Sequence, residues 1–319
     1  MQPAIFRPLI AAALAMALAI AAQPAGAGYP EGLAAYRKGD AARAVKELLP
    51  PAKAGNADAQ ILLAQILMNG GKGVAKNQAD AMAWVRRAAE GGNRDAQVFL
   101  AQALYHGRHG ERQDAAAAAP WFEKAATAGD KRAMLALAQM RLQGIGGVAD
   151  PAGAVPWLEK AAALGDLPSR LQLGLMALRG EGMAKDPALA ARHFEIGLRA
   201  GDDSAAFMLA QLHGRGLGVK RDIAQSMRLL RLAANAGNFS AMAMLATTLA
   251  NGGEGVERDS AEAYRWVAIV LNRAPRGDVY FSASAIEPAI RQRLSDRQIE
   301  AAQEEAARFV ARPLAPAGQ

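Results

Sequence analysis

The chain has 319 residues, of which 52% are hydrophobic and 5% aromatic, and its formal net charge at pH 7 is +7. It has no cysteine, which excludes disulfides, thiolate metal sites, a cysteine nucleophile and a lipid-modified cysteine. No block of five or more like charges concentrates the basic residues, so the charge is compatible with anionic partners but indicates mainly a solubility role.

The first 27 residues have the layout of a cleaved secretory signal. Arg7 precedes an apolar run from Leu9 to Ala22, and the small residues Ala25 to Ala27 follow. A membrane-spanning helix needs about 20 apolar residues, more than this run supplies. We therefore predict cleavage after Ala27, a mature chain without an integral membrane span, and a periplasmic or secreted location. An uncleaved anchor is the alternative.

A Gly-Asn or Gly-Asp pair returns every 36 or 37 residues along most of the chain. A period of this length is typical of helical repeat proteins, in which each unit buries its apolar faces against its neighbours. The glycines of these pairs are Gly55, Gly92, Gly129, Gly165, Gly201 and Gly237.

Each period also carries a helix start in its second half. An Asn or Asp stands there, and such side chains accept hydrogen bonds from the free amides of a first helical turn. Pro151 and Pro187 follow two of them, at a position where a missing N–H costs nothing. Seven residues further on stands a tryptophan or its replacement. The caps are Asn77, Asp114, Asp150, Asp186, Asp222 and Asp259, and the later positions hold Trp84, Trp121, Trp157, His193, Leu229 and Trp266.

These landmarks predict two helices in each repeat. Helix A has about twelve residues, and a glycine-rich turn such as Gly214–Val219 connects it to helix B, of about thirteen residues. Glycine in that turn permits a positive φ at the end of helix A and a tight reversal. Neither helix can bury its apolar stripe alone, so adjacent units must stack.

Over residues 55–271, the combined landmarks resemble the Sel1-like repeat (SLR) family of the tetratricopeptide-repeat-like superfamily. The resemblance implies an all-α fold, a right-handed α-solenoid of antiparallel helix pairs with helix A on the concave side. His193 and Leu229 depart from the family's tryptophan, and Gly197-Leu198 replaces an alanine pair. These departures leave open how tightly the fourth and fifth units pack.

The chain is thereby divided into five segments. Two further helices are expected after the repeats, at Phe281–Leu294 and from Ser295-Asp296 to Val310, where Ser295 and Gln298 fit a capping box. The last residues hold two prolines without periodicity, as disordered tails do. The segments are a signal peptide (1–27), a leading TPR-like helix pair (28–54), six repeats (55–272), C-terminal capping helices (273–311) and a disordered tail (312–319).

The sequence contains no motif typical of a hydrolase or a nucleotide-binding enzyme. The glycine-rich turns follow a helix, whereas a dinucleotide loop follows a strand. His106 and His109 can chelate a metal, but the nearby sequence implies no third ligand. We therefore predict no enzymatic activity, no catalytic residue, no metal and no cofactor.

The candidate binding surface is one face of helix A. Its fourth, eighth, eleventh and fifteenth repeat positions are 4, 3 and 4 residues apart, which places them on one side of a helix. Glutamine recurs at the eleventh position and can both donate to and accept from a partner's backbone. Alternatively, this is a solvated face on which glutamine serves helix propensity. The predicted groove residues are Gln65, Asn69, Phe99, Gln102, His106, Gln139, Gln143, Gln172, Arg179, Met208, Gln211, Arg215 and Met244.

The family resemblance implies an exported scaffold or regulator that binds another protein or peptide in this groove. An envelope sensor and a polysaccharide-assembly component are candidate partners, and nucleic acid is not. A carbohydrate- or cell-wall-binding scaffold is the alternative, favoured by the amide-rich face and basic charge and disfavoured by the lack of an aromatic row. A hydrolase is a third hypothesis, suggested by cysteine-rich relatives, but this chain has no cysteine to support that analogy.

Overall fold

A computed structural model describes residues 28–147 and 149–316 as a chain of α-helices. Within these ranges no strand forms, and two isolated bridges, Gly71 with Val74 and Gly253 with Val256, close tight turns. The predicted signal peptide lies outside the described residues.

Sixteen helices follow one another in the described ranges, most of them 13 residues long. They are α1 (Tyr29–Arg37), α2 (Ala41–Lys53), α3 (Ala57–Asn69), α4 (Gln78–Glu90), α5 (Arg94–His106), α6 (Ala115–Thr127), α7 (Lys131–Gln143), α8 (Pro151–Ala163), α9 (Leu167–Arg179), α10 (Pro187–Arg199), α11 (Asp203–Arg215), α12 (Ile223–Asn235), α13 (Phe239–Asn251), α14 (Ser260–Arg273), α15 (Asp278–Arg291) and α16 (Asp296–Arg308).

The two helices of each repeat pack against each other, which confirms the predicted all-α architecture of antiparallel helix pairs. The contacts divide the chain into two compact units. One unit ends at Ala128 and contains α1 to α6, and the other begins at Gly129 and contains α7 to α16. Each unit is a stack of the hairpins that the sequence predicts, of the α-solenoid type.

Side-chain caps begin both helices of every repeat. The six predicted caps of the second helices each accept a hydrogen bond from the amide three residues further on, as Asp222 does from Gln225 at 2.8 Å. The first helices begin with caps as well, although no caps were predicted for them. The residue after each repeated glycine has that role: Asn56, Asn93, Asp130, Asp166, Asp202 and Asn238.

Two glycines let one repeat approach the next in the second unit. Gly182 and Gly218 lie in the turns of successive repeats, with φ of 70° each. A Cβ at either position would overlap the backbone of the proline that begins the previous second helix, Pro151 or Pro187. Turn and helix start are therefore in backbone contact, which a larger residue would prevent.

The core remains closely packed where the repeat pattern departs from tryptophan. Leu229 is 4% exposed and belongs to the core of the second unit. His193 is half-buried, and the neighbouring Phe194 is fully buried against Gly174, where an added Cβ would overlap its ring. Phe194 thus occupies the buried position that Phe122 has after Trp121.

The C-terminal helices differ from the prediction in their bounds. The first runs over Asp278–Arg291, about three residues earlier than expected, and the second ends at Arg308. The predicted capping box is present at Ser295, where the side chains and backbone of Ser295 and Gln298 pair reciprocally. Buried residues of this last helix are Ile299, Ala302 and Ala306, which are 3 and 4 residues apart and therefore share one face.

The segment after the last helix also differs from the expected disordered tail over residues 312–316. The Arg312 amide donates to the Asn235 carbonyl at 2.8 Å, and Leu314 packs against the core of the second unit. Its two prolines prevent a helix, but an extended chain can still bury a leucine and pair one amide.

We predict that Asp222→Ala lowers the free energy of unfolding by about 1 kcal/mol, because the start of α12 loses its capping acceptor. Asp222→Asn keeps an acceptor at the same place and should retain most of the stability. Chemical denaturation followed by circular dichroism measures both. Equal losses in the two variants would contradict the capping role.

Candidate functional site

In the first unit, each predicted groove residue is either exposed or half-buried. Gln65, Phe99 and Gln102 are half-buried, and Asn69 and His106 are exposed. Gln65 Nε2 donates to the Tyr36 hydroxyl at 3.1 Å, which connects α3 to α1. Amide side chains of this face are therefore available at the surface, although one of them already bonds within the protein.

A histidine covers the aromatic ring on this face. His109 stacks on Phe99 with ring centroids 5.1 Å apart and an angle of 29° between the planes. Within the described ranges it is the one residue other than glycine with a positive φ, at 58°. The tight turn after α5 thus places a histidine on Phe99, which the sequence pattern did not indicate.

The two histidines of this turn have pKa values below the usual value for histidine. Partial burial is the main cause for His106 and for His109, and the positive charge of Arg108 adds to it. Both causes disfavour the charged imidazolium. The neutral form is therefore favoured in the folded protein.

In the second unit, the predicted groove residues again remain at the surface. Four are exposed and four are half-buried, while the opposite side of α11 buries Leu209 and Leu212 in the core. The exposed ones are Gln139, Gln143, Arg179 and Arg215, and the half-buried ones are Gln172, Met208, Gln211 and Met244.

Three of these residues, from two successive repeats, line one cavity. Gln211 and Arg215 reach it from α11 and Met244 from α13, and its volume is about 280 Å³. Met227 and Leu230 of α12 supply apolar lining. This volume lies just below the range of about 300–1,000 Å³ that is usual for small-molecule sites, so the cavity suits a single side chain.

The mouth of the cavity carries a fixed ion pair and an arginine outside any ion pair. Arg221 holds Glu254 through two hydrogen bonds of 3.0 and 2.9 Å, which lower the pKa of the Glu254 carboxyl. Arg215 is exposed and has no ion-pair partner among the described residues. Its guanidinium can therefore donate hydrogen bonds to a carboxylate or a backbone carbonyl of a bound segment.

A family comparison identifies the repeats. The model of the Sel1 repeat matches six consecutive segments, residues 57–93, 94–130, 131–166, 168–202, 203–238 and 239–268. The chain belongs to the Sel1 repeat family. Each matched segment begins at or next to the start of a first helix, which confirms the six repeats read from the sequence. Sel1 repeat proteins generally mediate protein–protein interactions, and the family is typically non-catalytic.

Solved structures support the same assignment. A Sel1 repeat protein from Oxalobacter formigenes is 26% identical, covering 79% of this chain and 99% of its own, with a TM-score of 0.63. The protein c5321, a protective antigen of uropathogenic Escherichia coli strains with an SLR fold, is 22% identical. That match covers 89% of this chain and 68% of c5321, and its TM-score of 0.54 supports the fold alone. No curated protein matches the chain.

The cavity of this Sel1 repeat protein includes residues that sequence reasoning missed. Its lining comes partly from the second helix, Met227 and Leu230, and partly from the glycine-rich turn, Gly252 and Val256. Only the helix A residues could be predicted, because their spacing defines a face, whereas the cavity depends on how far apart neighbouring helices lie. The other predicted residues of this unit, Met208 on α11 and those on α7 and α9, do not line it.

The tryptophans of the Sel1 repeats lie under cations. A basic side chain three residues later stands over each of three rings, with distances to the ring centroid of 4.3 to 4.7 Å. The pairs are Trp84 with Arg87, Trp121 with Lys124, and Trp157 with Lys160.

In the part of the chain that the structure describes, no group of three potential ligand side chains is placed to hold a metal ion. Over the same residues, no helix combines the length and apolarity needed to cross a membrane.

We predict that Arg108→Gln raises the pKa values of both His106 and His109 towards the usual 6.5 without reaching it, because burial remains. Histidine NMR titration measures this, with Arg112→Gln as the control that leaves both values unchanged. Since the folded pKa values are lowered, the stability contributed by these histidines is complete above about pH 6.5 and decreases as the pH falls below it. Unchanged values in Arg108→Gln would contradict the electrostatic contribution.

Proposed function

We propose that this Sel1 repeat chain is an exported scaffold that binds a segment of another protein on the face of its first helices. The observation that supports the proposal is the cavity at which Gln211 and Arg215 of one repeat meet Met244 of the next. The same face of the first helices of two successive repeats thereby contributes to one site, as recognition of an extended segment requires.

The chemistry of this cavity favours a particular kind of contact. An apolar side chain of the partner enters between Met227, Leu230 and Met244, where it leaves water. The Gln211 amide donates to and accepts from the partner's backbone, and Arg215 binds a carboxylate or carbonyl oxygen. The preferred partner segment therefore carries an apolar residue with an acidic residue near it.

Export is proposed from the sequence of residues 1–27, in which a short apolar run precedes small residues. In that location, an envelope sensor or a polysaccharide-assembly component is the candidate partner.

Carbohydrate binding receives less support. Sugar rings stack on open aromatic faces, but Trp84, Trp121 and Trp157 each carry a cation over the ring. The amide-rich face fits a peptide backbone equally well, so it does not favour a glycan.

Site-specific photo-crosslinking tests the protein-binding face. A benzophenone amino acid replaces Met244 in the cavity or, as a matched control, Leu232, which is 40% exposed on α12 and lies outside the cavity. We expect irradiation of cells to give a discrete adduct from position 244 and none from position 232. Mass spectrometry of the adduct identifies the partner.

Charge reversal provides the second arm of this experiment. Arg215→Glu should reduce the adduct about tenfold or more, since it repels the partner's acidic residue. Arg199→Glu makes the same change at an exposed position of α10, outside the cavity, and should leave the adduct unchanged. Equal crosslinking at 244 and 232, or equal effects of the two charge reversals, would reject the proposed face.

Export is tested separately by fractionation and mass spectrometry of the N-terminus. We expect a periplasmic or secreted protein that begins at Gly28, and Leu14→Arg should keep the full-length chain inside the cell, because it interrupts the apolar run. Thr127→Arg, a charge introduced at an exposed position of α6, is the control. A cytoplasmic wild-type chain that retains residues 1–27 would exclude export.

A further inference from the structure

The last described residues run back over the turns between earlier repeats. Phe309 starts this segment. Its ring lies edge to face with Trp266, with 73° between the planes and 5.9 Å between the centroids, and the Arg273 guanidinium is 5.8 Å from the Phe309 centroid. The backbone of Phe309, at φ −58° and ψ 130°, has polyproline geometry. We call residues 309–316 the C-terminal strap.

The C-terminal strap contacts the inter-repeat turns in a fixed register. A Cβ added to Gly237 would lie 3.1 Å from the Ala311 Cβ, and one added to Gly201 would lie 2.7 Å from the Leu314 carbonyl oxygen. An offset of three residues along the strap, from 311 to 314, therefore corresponds to an offset of one repeat in the opposite direction along the chain, from the turn at 237 to the turn at 201. Between these contacts, the Arg312 amide donates to the Asn235 carbonyl at the end of α12.

This register is consistent with an extended chain. A polyproline-like chain rises about 3.1 Å per residue, so three residues cover roughly 9 Å. The approaches of Ala311 to Gly237 and of Leu314 to Gly201 show that this length of chain spans one repeat step along the turns. An extended peptide therefore keeps in step with the turns as long as every third residue is compatible with close approach to glycine.

The strap is held by few contacts. Val310 is 75% exposed, and Arg312, Pro313 and Pro316 are also exposed. Beyond Phe309, the strap is attached by the half-buried Leu314, the close approaches at Gly201 and Gly237 and, among the described residues, one backbone hydrogen bond. Segments with so few buried contacts open locally at low free-energy cost.

A third turn of the same unit, at Gly165, is not covered by any described residue of the strap. At Gly165, with φ of 79°, an added Cβ would meet no described atom within 4 Å. A longer peptide in the register of the strap can occupy this step in addition to those at Gly201 and Gly237. It would gain one more contact than the strap makes.

We propose that this row of inter-repeat turns is a second interaction surface, distinct from the face of the first helices. It binds an extended, proline-containing peptide segment of a partner protein, with a small or aliphatic residue at every third position. The C-terminal strap occupies the surface in cis, and the partner segment displaces it.

A peptide-binding assay with the whole chain tests the proposal. Leu314→Asp releases the strap by placing a carboxylate where the leucine packs, and the probe is a fluorescent peptide with the sequence of residues 309–316. We expect this variant to bind the probe in anisotropy titrations, and the wild-type chain to bind at least tenfold more weakly. The tethered strap competes at an effective concentration of the order of millimolar.

A second variant distinguishes release of the strap from misfolding of the Leu314→Asp chain. Arg312→Pro removes the amide that donates to Asn235 without changing any buried side chain, and it should likewise increase probe binding. Circular dichroism verifies that both variants keep their helix content.

Two glycines give a matched control in the Leu314→Asp background. Gly201→Ala and Gly165→Ala introduce the same side chain at similar positive φ values, 89° and 79°, so their backbone strain is comparable. Only at Gly201 would the new Cβ meet the bound segment. We expect Gly201→Ala to weaken probe binding at least tenfold and Gly165→Ala to leave it unchanged.

Three results would overturn the proposal: equal binding by the wild-type and released chains, no binding by either released variant, or equal effects of the two glycine substitutions. Analytical ultracentrifugation adds a fourth test. A wild-type dimer that dissociates on Leu314→Asp would make a second copy the source of the strap and contradict its placement in cis. None of these results affects the proposal for the face of the first helices, which the crosslinking tests on its own.

Discussion

The structure depends on how each helix start satisfies its free backbone amides. From α2 to α14, an Asn or Asp side chain accepts a hydrogen bond from the first turn, within three residues of itself. This contact is local, so each helix begins at a position that its own sequence defines. Because the helices then have nearly equal lengths, equivalent side chains of successive repeats reach the same face. A binding surface made of repeated positions requires that regularity.

Neighbouring repeats are connected by polar contacts as well as by alanine packing. The nearly buried Gln60 and Gln97 each donate to a carbonyl at the end of the preceding helix, that of Ala52 or Ala89. Arg170 makes the equivalent bond in the second unit. Each of these carbonyls also accepts a hydrogen bond from the glycine amide of the turn, and the side-chain bond adds a second contact that fixes the next helix. A contact eight residues back thus connects the end of one repeat to the start of the next.

Much of the architecture could be predicted from the sequence, because it follows from local signals. The Asp caps, the positive-φ glycines and the capping box at Ser295 each act within a few residues. The cavity could not be predicted, since Met227 and Leu230 belong to the second helix and meet Met244 only through packing. The bounds of α15 were also wrong: the helix begins at Asp278 without a side-chain cap, so no local signal marked its start.

The C-terminal strap has a consequence for synthesis of the chain. A ribosome makes the six repeats before it makes the strap, and local hairpins can form as they emerge. The turns at Gly201 and Gly237 therefore remain uncovered until residues 309–316 are translated. A product that terminated before residue 309 would contain every repeat and still differ at this edge. Synthesis of the strap thus changes the surface of repeats that were made earlier.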